Sequence, residues 1–343
     1  MKRRLFLSAM GLALFSHCSP GSTEKTREVI KPRRLRPGDT VVLVNPAGAT
    51  FSRVDADIAA EHLEALELKV RRAPHLFDRR GYLAGSDADR AGDINQQFAD
   101  TDVAGLIALR GGWGCARILG LLDYSLIRAQ PKVFLGFSDI TALHMAIHSR
   151  TGLVTFHGPV GTSNWTPFTS GNFRQVVLEG QTPVFANPSP SNGKPGSTRH
   201  PIRTIRPGRA RGPLLGGNLT VLSALMGSQY LPAWEGAILF LEDVGEEIYR
   251  VDRMLTQLKL AGVLDQISGL IFGHCTDCRP GSGFGSLTLD EVLEDHLLPL
   301  KIPAWRGAMI GHIDDQLTLP QGVQAEIDAG AGTIRLLEPA VRM

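Results

Sequence analysis

The chain has 343 residues, 43% of them hydrophobic and 20% charged, with a formal net charge of +2. This is ordinary for a soluble globular protein and long enough for two domains, and it gives no reason to propose a nucleic-acid partner. The basic residues are not gathered into one long run.

Lys2, Arg3 and Arg4 precede an apolar run from Leu5 to Phe15. A positive segment before an apolar run too short to span a bilayer reads as an export signal. Arg3-Arg4-Leu5-Phe6-Leu7 also resembles the twin-arginine motif, so an exported, periplasmic protein is expected. Cys18 lies where a lipoprotein signal places its modified cysteine, although His17 stands where a small residue is expected. Residues 1–22 are then the signal and 23–36 a polar tether. No other segment is long and apolar enough to be a membrane span.

The folded part begins with a strand over Thr40–Val44 and an amphipathic helix over Asp57–Leu68, a βα unit. A polar helix follows over Asp87–Asp100, then a strand over Val103–Leu109 that runs into Arg110-Gly111-Gly112-Trp113-Gly114. Ligands of open α/β sheets bind at the carboxyl ends of strands, and glycines there let backbone N–H groups approach closely. Gly111 and Gly112 are therefore candidate oxyanion donors, with Trp113 as a pocket wall. A tight turn with a packed tryptophan accounts for the same residues.

Lys132–Phe137 reads as a buried strand, and Ile140, Leu143 and Ile147 recur at helical spacing. Between them, Ser138 projects from a sharp turn with the first helical N–H groups behind it. Those donors would stabilise an oxyanion formed beside it. Ser138 and Asp139 also suit a plain helix cap. Ile140 departs from the G-x-S-x-G elbow, where a second glycine would stand. His144 and His148 are four apart on this helix, but no acid lies between them as in H-E-x-x-H, and no zinc is expected.

Residues 186–213, rich in Pro, Gly, Ser and Arg, read as a mobile interdomain linker. Asn218 then suits the N-cap of an apolar helix over Leu219–Met226. A strand over Ala237–Leu241 ends in Glu242-Asp243, and an amphipathic helix carries Ile248, Val251, Leu255 and Leu258. Leu270–Gly273 and Trp305–Ile310 read as strands, the latter running into Gly311-His312, and the chain closes on a β-hairpin. Cys275-x-x-Cys278 is half a zinc pattern or a short disulfide. Nothing marks Cys115 as a nucleophile.

Ser138, Glu242 and His312 each follow an apolar strand, and acyl transfer needs a nucleophile, a base and an acid that orients the base. Spacing does not show that they converge. The chain resembles the LD-carboxypeptidases, the muramoyltetrapeptide carboxypeptidase family of serine peptidases. The resemblance is carried by GYLAGSDADRAGDIN, RGGWG, PKVFLGFSDITALH, HGPVG, GPLLGGNLTVLSALMG, LFLEDVGEEIYRVDRMLTQL and GHIDDQLTLPQG. It implies an α/β fold of two domains. Residues 37–185 would form an N-terminal layer with a mostly parallel sheet bearing the nucleophile elbow, and 214–343 a smaller domain with a barrel-like sheet.

The resemblance places the nucleophile on Ser138, the acid on Glu242, the base on His312, and the oxyanion donors on the backbone of Gly112 and Asp139. It implies neither cofactor nor metal. The substrate would be a murein tetrapeptide, cut between the L-centre of a diamino acid and terminal D-alanine. Arg110 and Arg117 are both candidates to grip its carboxylate. Relative domain motion is expected to gate a site at the domain interface, and homodimerisation is left open. The alternatives are a microcin-type immunity peptidase, with Trp113 or Trp165 stacking a nucleobase, and a non-catalytic muropeptide-binding module.

Overall fold

The computed structural model describes residues 28–188, 201–283 and 285–343. The expected export signal and Cys18 lie outside the described residues, as does the start of the tether. No helix among the described residues is long and apolar enough to cross a membrane.

The strands run in chain order as β1 (Thr40–Val44), β2 (Lys69–Arg72), β3 (Val103–Ala108), β4 (Val133–Gly136), β5 (Phe156–His157), β6 (Val184–Phe185) and β7 (Arg203–Arg206). They continue as β8 (Arg209–Asn218), β9 (Ile238–Val244), β10 (Gly269–Thr276), β11 (Ala304–Arg306), β12 (Leu319–Pro320), β13 (Gln324–Asp328) and β14 (Thr333–Leu336). They form a six-stranded sheet, β12-β5-β4-β3-β1-β2, and an eight-stranded sheet, β6-β14-β13-β8-β9-β10-β11-β7. The fold is therefore α/β, with a parallel-rich first sheet and a curled, half-barrel second one.

In the first sheet, β1 to β5 pair parallel. Parallel strands are covered on both faces, so they read as continuous apolar runs. TVVLV of β1 and VFLG of β4 fit that pattern and are buried almost throughout. From β1 the chain crosses to β2 on one side, and β3 lies on the other. Loops leaving β1 and β3 therefore diverge, opening a crevice at the carboxyl ends of the strands.

The second sheet is built around parallel β8, β9, β10 and β11. β8 is ten residues long and serves two neighbours. Its first half pairs with β13, and Leu214–Asn218 pairs with β9. Gly216 makes this possible, since a Cβ there would lie 1.8 Å from Phe240 O. Each of the two buried apolar clusters draws residues from both sheets.

Several expected boundaries move. The first helix is Arg53–Glu64, not 57–68, and the chain leaves it through Glu67 at φ 65°. The strand expected over 305–310 stops at Arg306, because Gly307 follows at φ 95°. The stretch expected to be a linker contains β7 and the first part of β8. Three of its arginines are paired: Arg203 with Asp290 and Glu294, Arg209 with Asp328 and Arg211 with Glu326. Asn218 does cap the following helix, accepting from Val221 N–H. Cys275 and Cys278 form a disulfide at the end of β10.

Candidate active site

Ser138 leaves β4 through a single 3₁₀ turn, Ser138–Ile140, and the chain enters the Thr141–Thr151 helix. Its φ is 63°, in the left-handed region that a non-glycine residue seldom adopts. Such strain, held by surrounding structure, is characteristic of strand-to-helix turns that present a side chain. Neither Ser138 nor Asp139 caps this helix by its side chain. Ile140 fits without a second glycine because Gly136 leaves it room: a Cβ on Gly136 would lie 3.0 Å from Ile140 Cγ1.

Three residues distant in sequence meet here. His312 Nε2 lies 3.0 Å from Ser138 Oγ, and His312 Nδ1 lies 2.9 Å from Glu242 Oε2. An ionised carboxylate only accepts, so Nδ1 carries the proton and Nε2 is left to accept from the serine hydroxyl. Glu242 is fully buried. It does not follow β9, as the apolar pattern suggests, but lies within it, paired with Asn218 of β8. Asp243, next along β9, is buried too. Burial and the neighbouring Glu242 push its carboxyl up to about 6, against donors from Val244, Thr220 and Asn218.

Burial lowers the His312 pKa, but the hydrogen bond and charge of Glu242, with Asp243 behind, outweigh it and leave the imidazole above its ordinary value. The His312 loop is held closely. Gly311, at φ 115°, passes so near Glu242 that a Cβ would lie 2.9 Å from Oε2. Thr276 Oγ1 donates to His312 O at 3.0 Å, and the Phe137 ring packs 4.8 Å from the imidazole.

The glycine loop after β3 closes the other side. A Cβ on Gly111 would lie 2.9 Å from Ser138 Cβ and 3.1 Å from Oγ. Gly112 sits at φ 129°, against Gly48 of the loop after β1. Among the described residues, nothing accepts from the Gly112 N–H. The loop is tied to the serine turn by Asp139, whose Oδ2 accepts from Cys115 N–H at 2.8 Å. Burial raises the Asp139 pKa. Burial and Asp139 push the Cys115 thiol well above its ordinary value, which fits an inert, buried cysteine.

Arg90 is the strut that the sequence concealed. It is fully buried, and its guanidinium donates to Pro46 O, to Gly114 O at 3.0 Å and to Asp87. One side chain thus joins the loops after β1 and β3. Gly111→Ala is expected to push Ser138 aside and slow its reaction with a fluorophosphonate by about a hundredfold, since a displacement near 1 Å costs that much. Labelling at the wild-type rate would show that the contact tolerates a methyl group.

A cavity of about 510 Å³ opens over the serine, lined among others by Arg110, Gly112, Ser138 and His312. Asp55, Asn164 and Asp314 also line it, and sequence reasoning did not single them out. Of the two candidate arginines, Arg110 reaches it. Arg117 does not, because its guanidinium is held by Asp87 through Nε at 3.0 Å and Nη2 at 2.7 Å. Trp113, expected as a pocket wall, does not line the cavity either. The loop turns at Gly112 and at Gly114, φ 115°, and carries the indole outward. Trp165 is engaged elsewhere, donating to Val160 O and packing against Phe173. His144 bonds Thr155 and Gly136, and His148 bonds Leu153.

Residues 41–158 match the LD-carboxypeptidase N-terminal domain, and residues 211–327 match the LD-carboxypeptidase C-terminal domain. A probable murein peptide carboxypeptidase of Bacillus subtilis is 38% identical over 308 residues, covering 88% of this chain and 93% of that protein. Among solved structures, the microcin C7 self-immunity protein in its apo state superposes with a TM-score of 0.81 at 27% identity, covering 91% of this chain and 100% of that one. The muramoyltetrapeptide carboxypeptidase of Oxalobacter formigenes gives a TM-score of 0.72 at 29% identity, covering 87% and 97%.

Proposed function

Because this chain belongs to the LD-carboxypeptidase family, we propose that it is a serine-type LD-carboxypeptidase releasing terminal D-alanine from murein tetrapeptides. The observation that carries the reading is the hydrogen-bonded sequence Ser138, His312, Glu242, in which Ser138 and His312 line the cavity and Glu242 is buried behind them. His312 takes the Ser138 proton as Oγ attacks the carbonyl of the L-centred diamino acid. The oxygen of that carbonyl becomes negative and is held by the N–H groups of Gly112 and Asp139. His312 then returns the proton to the nitrogen of departing D-alanine, and water, activated by the same imidazole, releases the acyl group. Glu242 keeps His312 in the tautomer that accepts from serine.

Arg110 is the residue we assign to the substrate's terminal carboxylate, since Arg117 is already paired. Arg110→Met is expected to raise KM for the tetrapeptide by about tenfold or more, the size of a lost charged hydrogen bond. An unchanged KM would exclude Arg110 from that role. We also place the protein outside the cytoplasm, on the strength of Lys2–Arg4 and the apolar run behind them.

The structural similarity to the microcin immunity protein supports the second reading, cleavage of an aminoacyl-nucleotide amide. The deciding assay offers the wild-type enzyme both a muramoyl-tetrapeptide and such an amide. D-alanine release supports the first reading. Cleavage of the amide alone supports the second. Binding of the tetrapeptide with turnover of neither substrate would overturn both in favour of a binding module.

A further inference from the structure

The glycine loop that walls the cavity ends outside it in an aromatic pair open to solvent. Trp113 is 68% exposed and Tyr82 is 65% exposed. Their rings meet edge to face, with centroids 6.3 Å apart. Large rings left in water forgo burial worth roughly 25 cal/mol per Å², so an exposed pair in mutual contact beside a reaction cavity is a ligand surface more readily than a packing accident.

The loops that carry the pair are hydrogen-bonded to each other, and their supports are those of the cavity. Ala49 N–H donates to Tyr82 O at 2.9 Å, and Gly48 N–H to Gly111 O at 3.3 Å. Arg110 Nη1 donates to Ala49 O at 3.1 Å. On the far side of Trp113, Arg90 holds the Gly114 carbonyl. Phe51 is also exposed, but the Arg79 guanidinium covers its ring at 4.9 Å.

The occupant follows from reach and chemistry, and this step rests on the murein-peptide reading above. From the scissile carbonyl the stem peptide runs back through three residues to the sugar that bears it. Three extended residues span on the order of 11 Å. Trp113 lies two residues from Gly111, whose backbone abuts the Ser138 side chain; two residues span at most about 7 Å, and the indole adds its own length. A pyranose presents a flat face of C–H bonds that packs on an aromatic face while its hydroxyls stay hydrated. We propose that Trp113, with Tyr82 edge-on beside it, forms a subsite for the sugar ring attached to the stem peptide.

The test pairs each variant with two substrates, a muramoyl-tetrapeptide and the same tetrapeptide without its sugar. Wild type should prefer the sugar-bearing substrate by about tenfold in kcat/KM, as one aromatic stacking contact supplies. Trp113→Ala should erase that preference mainly through KM. Because Trp113 adjoins Gly112, Tyr82→Ala is the second variant; it stands on a different loop and should weaken the preference in the same direction. Equal wild-type rates on both substrates, or an equal loss on both in the variants, would overturn the subsite.

Binding to Ser138→Ala by calorimetry separates this inference from the catalytic reading. If wild type releases no D-alanine, but Trp113→Ala added to Ser138→Ala weakens binding of the muramoyl-peptide, the subsite stands and the activity does not. Binding that is indifferent to Trp113 overturns the subsite. So does a Trp113-dependent affinity for an adenine nucleotide in place of the muramoyl-peptide, which would make the pair a nucleobase platform.

Discussion

Ser138→Ala is expected to lower D-alanine release by about a millionfold, the scale on which loss of a serine nucleophile is felt. The substitution removes one atom, the Oγ that lies 3.0 Å from His312 Nε2. His312 and Glu242 remain, but no acyl-enzyme can form. Under the proposed mechanism, whatever rate persists comes from the Gly112 and Asp139 donors acting on a bound substrate attacked by water. The fold should not suffer. Alanine makes no demand on the turn that serine does not already meet at φ 63°, and loss of a hydroxyl facing the cavity is expected to move stability by less than about 1 kcal/mol. Rates are to be compared at equal concentrations of folded protein, judged by thermal unfolding. A variant within tenfold of wild type would remove Ser138 from the mechanism.

The serine turn was the most legible part of this site. An apolar strand, a glycine and a helical period are local patterns, and they place Ser138 at a strand's carboxyl end without reference to the rest of the chain. Glu242 was legible only in part. The apolar run ends at Leu241, which suggested that the strand ends there, whereas the ladder continues through Glu242 and Asp243, paired with Asn218 and Cys275. Hydrophobicity reports which side chains are buried in apolar surroundings, and it is blind to acids buried against their own donors. β8 was hidden for a related reason: its first half, RARGP, falls in the stretch that reads as linker, yet its glycines and paired arginines suit a strand that changes partners midway. Arg90 reads from sequence as a solvated helix residue, and only the fold shows that two loops need its guanidinium. Arg110 and Arg117 were indistinguishable because the acid that occupies Arg117 lies 30 residues away in sequence. The convergence of Ser138, Glu242 and His312 was carried by family resemblance, since no spacing rule joins residues from two sheets.

Glu242→Gln should cost about 10⁴ in kcat, as removal of the charge behind a catalytic histidine does elsewhere, and it should also move the pH profile in a defined direction. The glutamine amide has two ways to sit. With its NH₂ toward His312 Nδ1, it forces the proton onto Nε2, which then cannot accept from Ser138. With its oxygen toward Nδ1, the NH₂ occupies the place of Oε1, which has no hydrogen-bond partner among the described residues, and a buried donor is left unsatisfied. Either arrangement loses the negative charge. His312 works as a base only when neutral, so wild-type kcat/KM should fall as pH drops through a value above the ordinary 6.5. Burial pulls that value down, while the Glu242 bond and charge are the principal influences pulling it up. With them gone, burial dominates, and the acid limb of the variant should lie at lower pH than that of wild type. Stability follows the same sign. A raised folded pKa favours the fold at low pH and loses that contribution as pH rises through it, so the variant's unfolding free energy should depend less on pH in that range. The decisive measurement is the residual kcat/KM of Glu242→Gln across pH. A limb that stays in place or moves upward would mean that Glu242 does not set the basicity of His312, and the acid would have to be sought in Asp243, the other buried carboxyl that raises it.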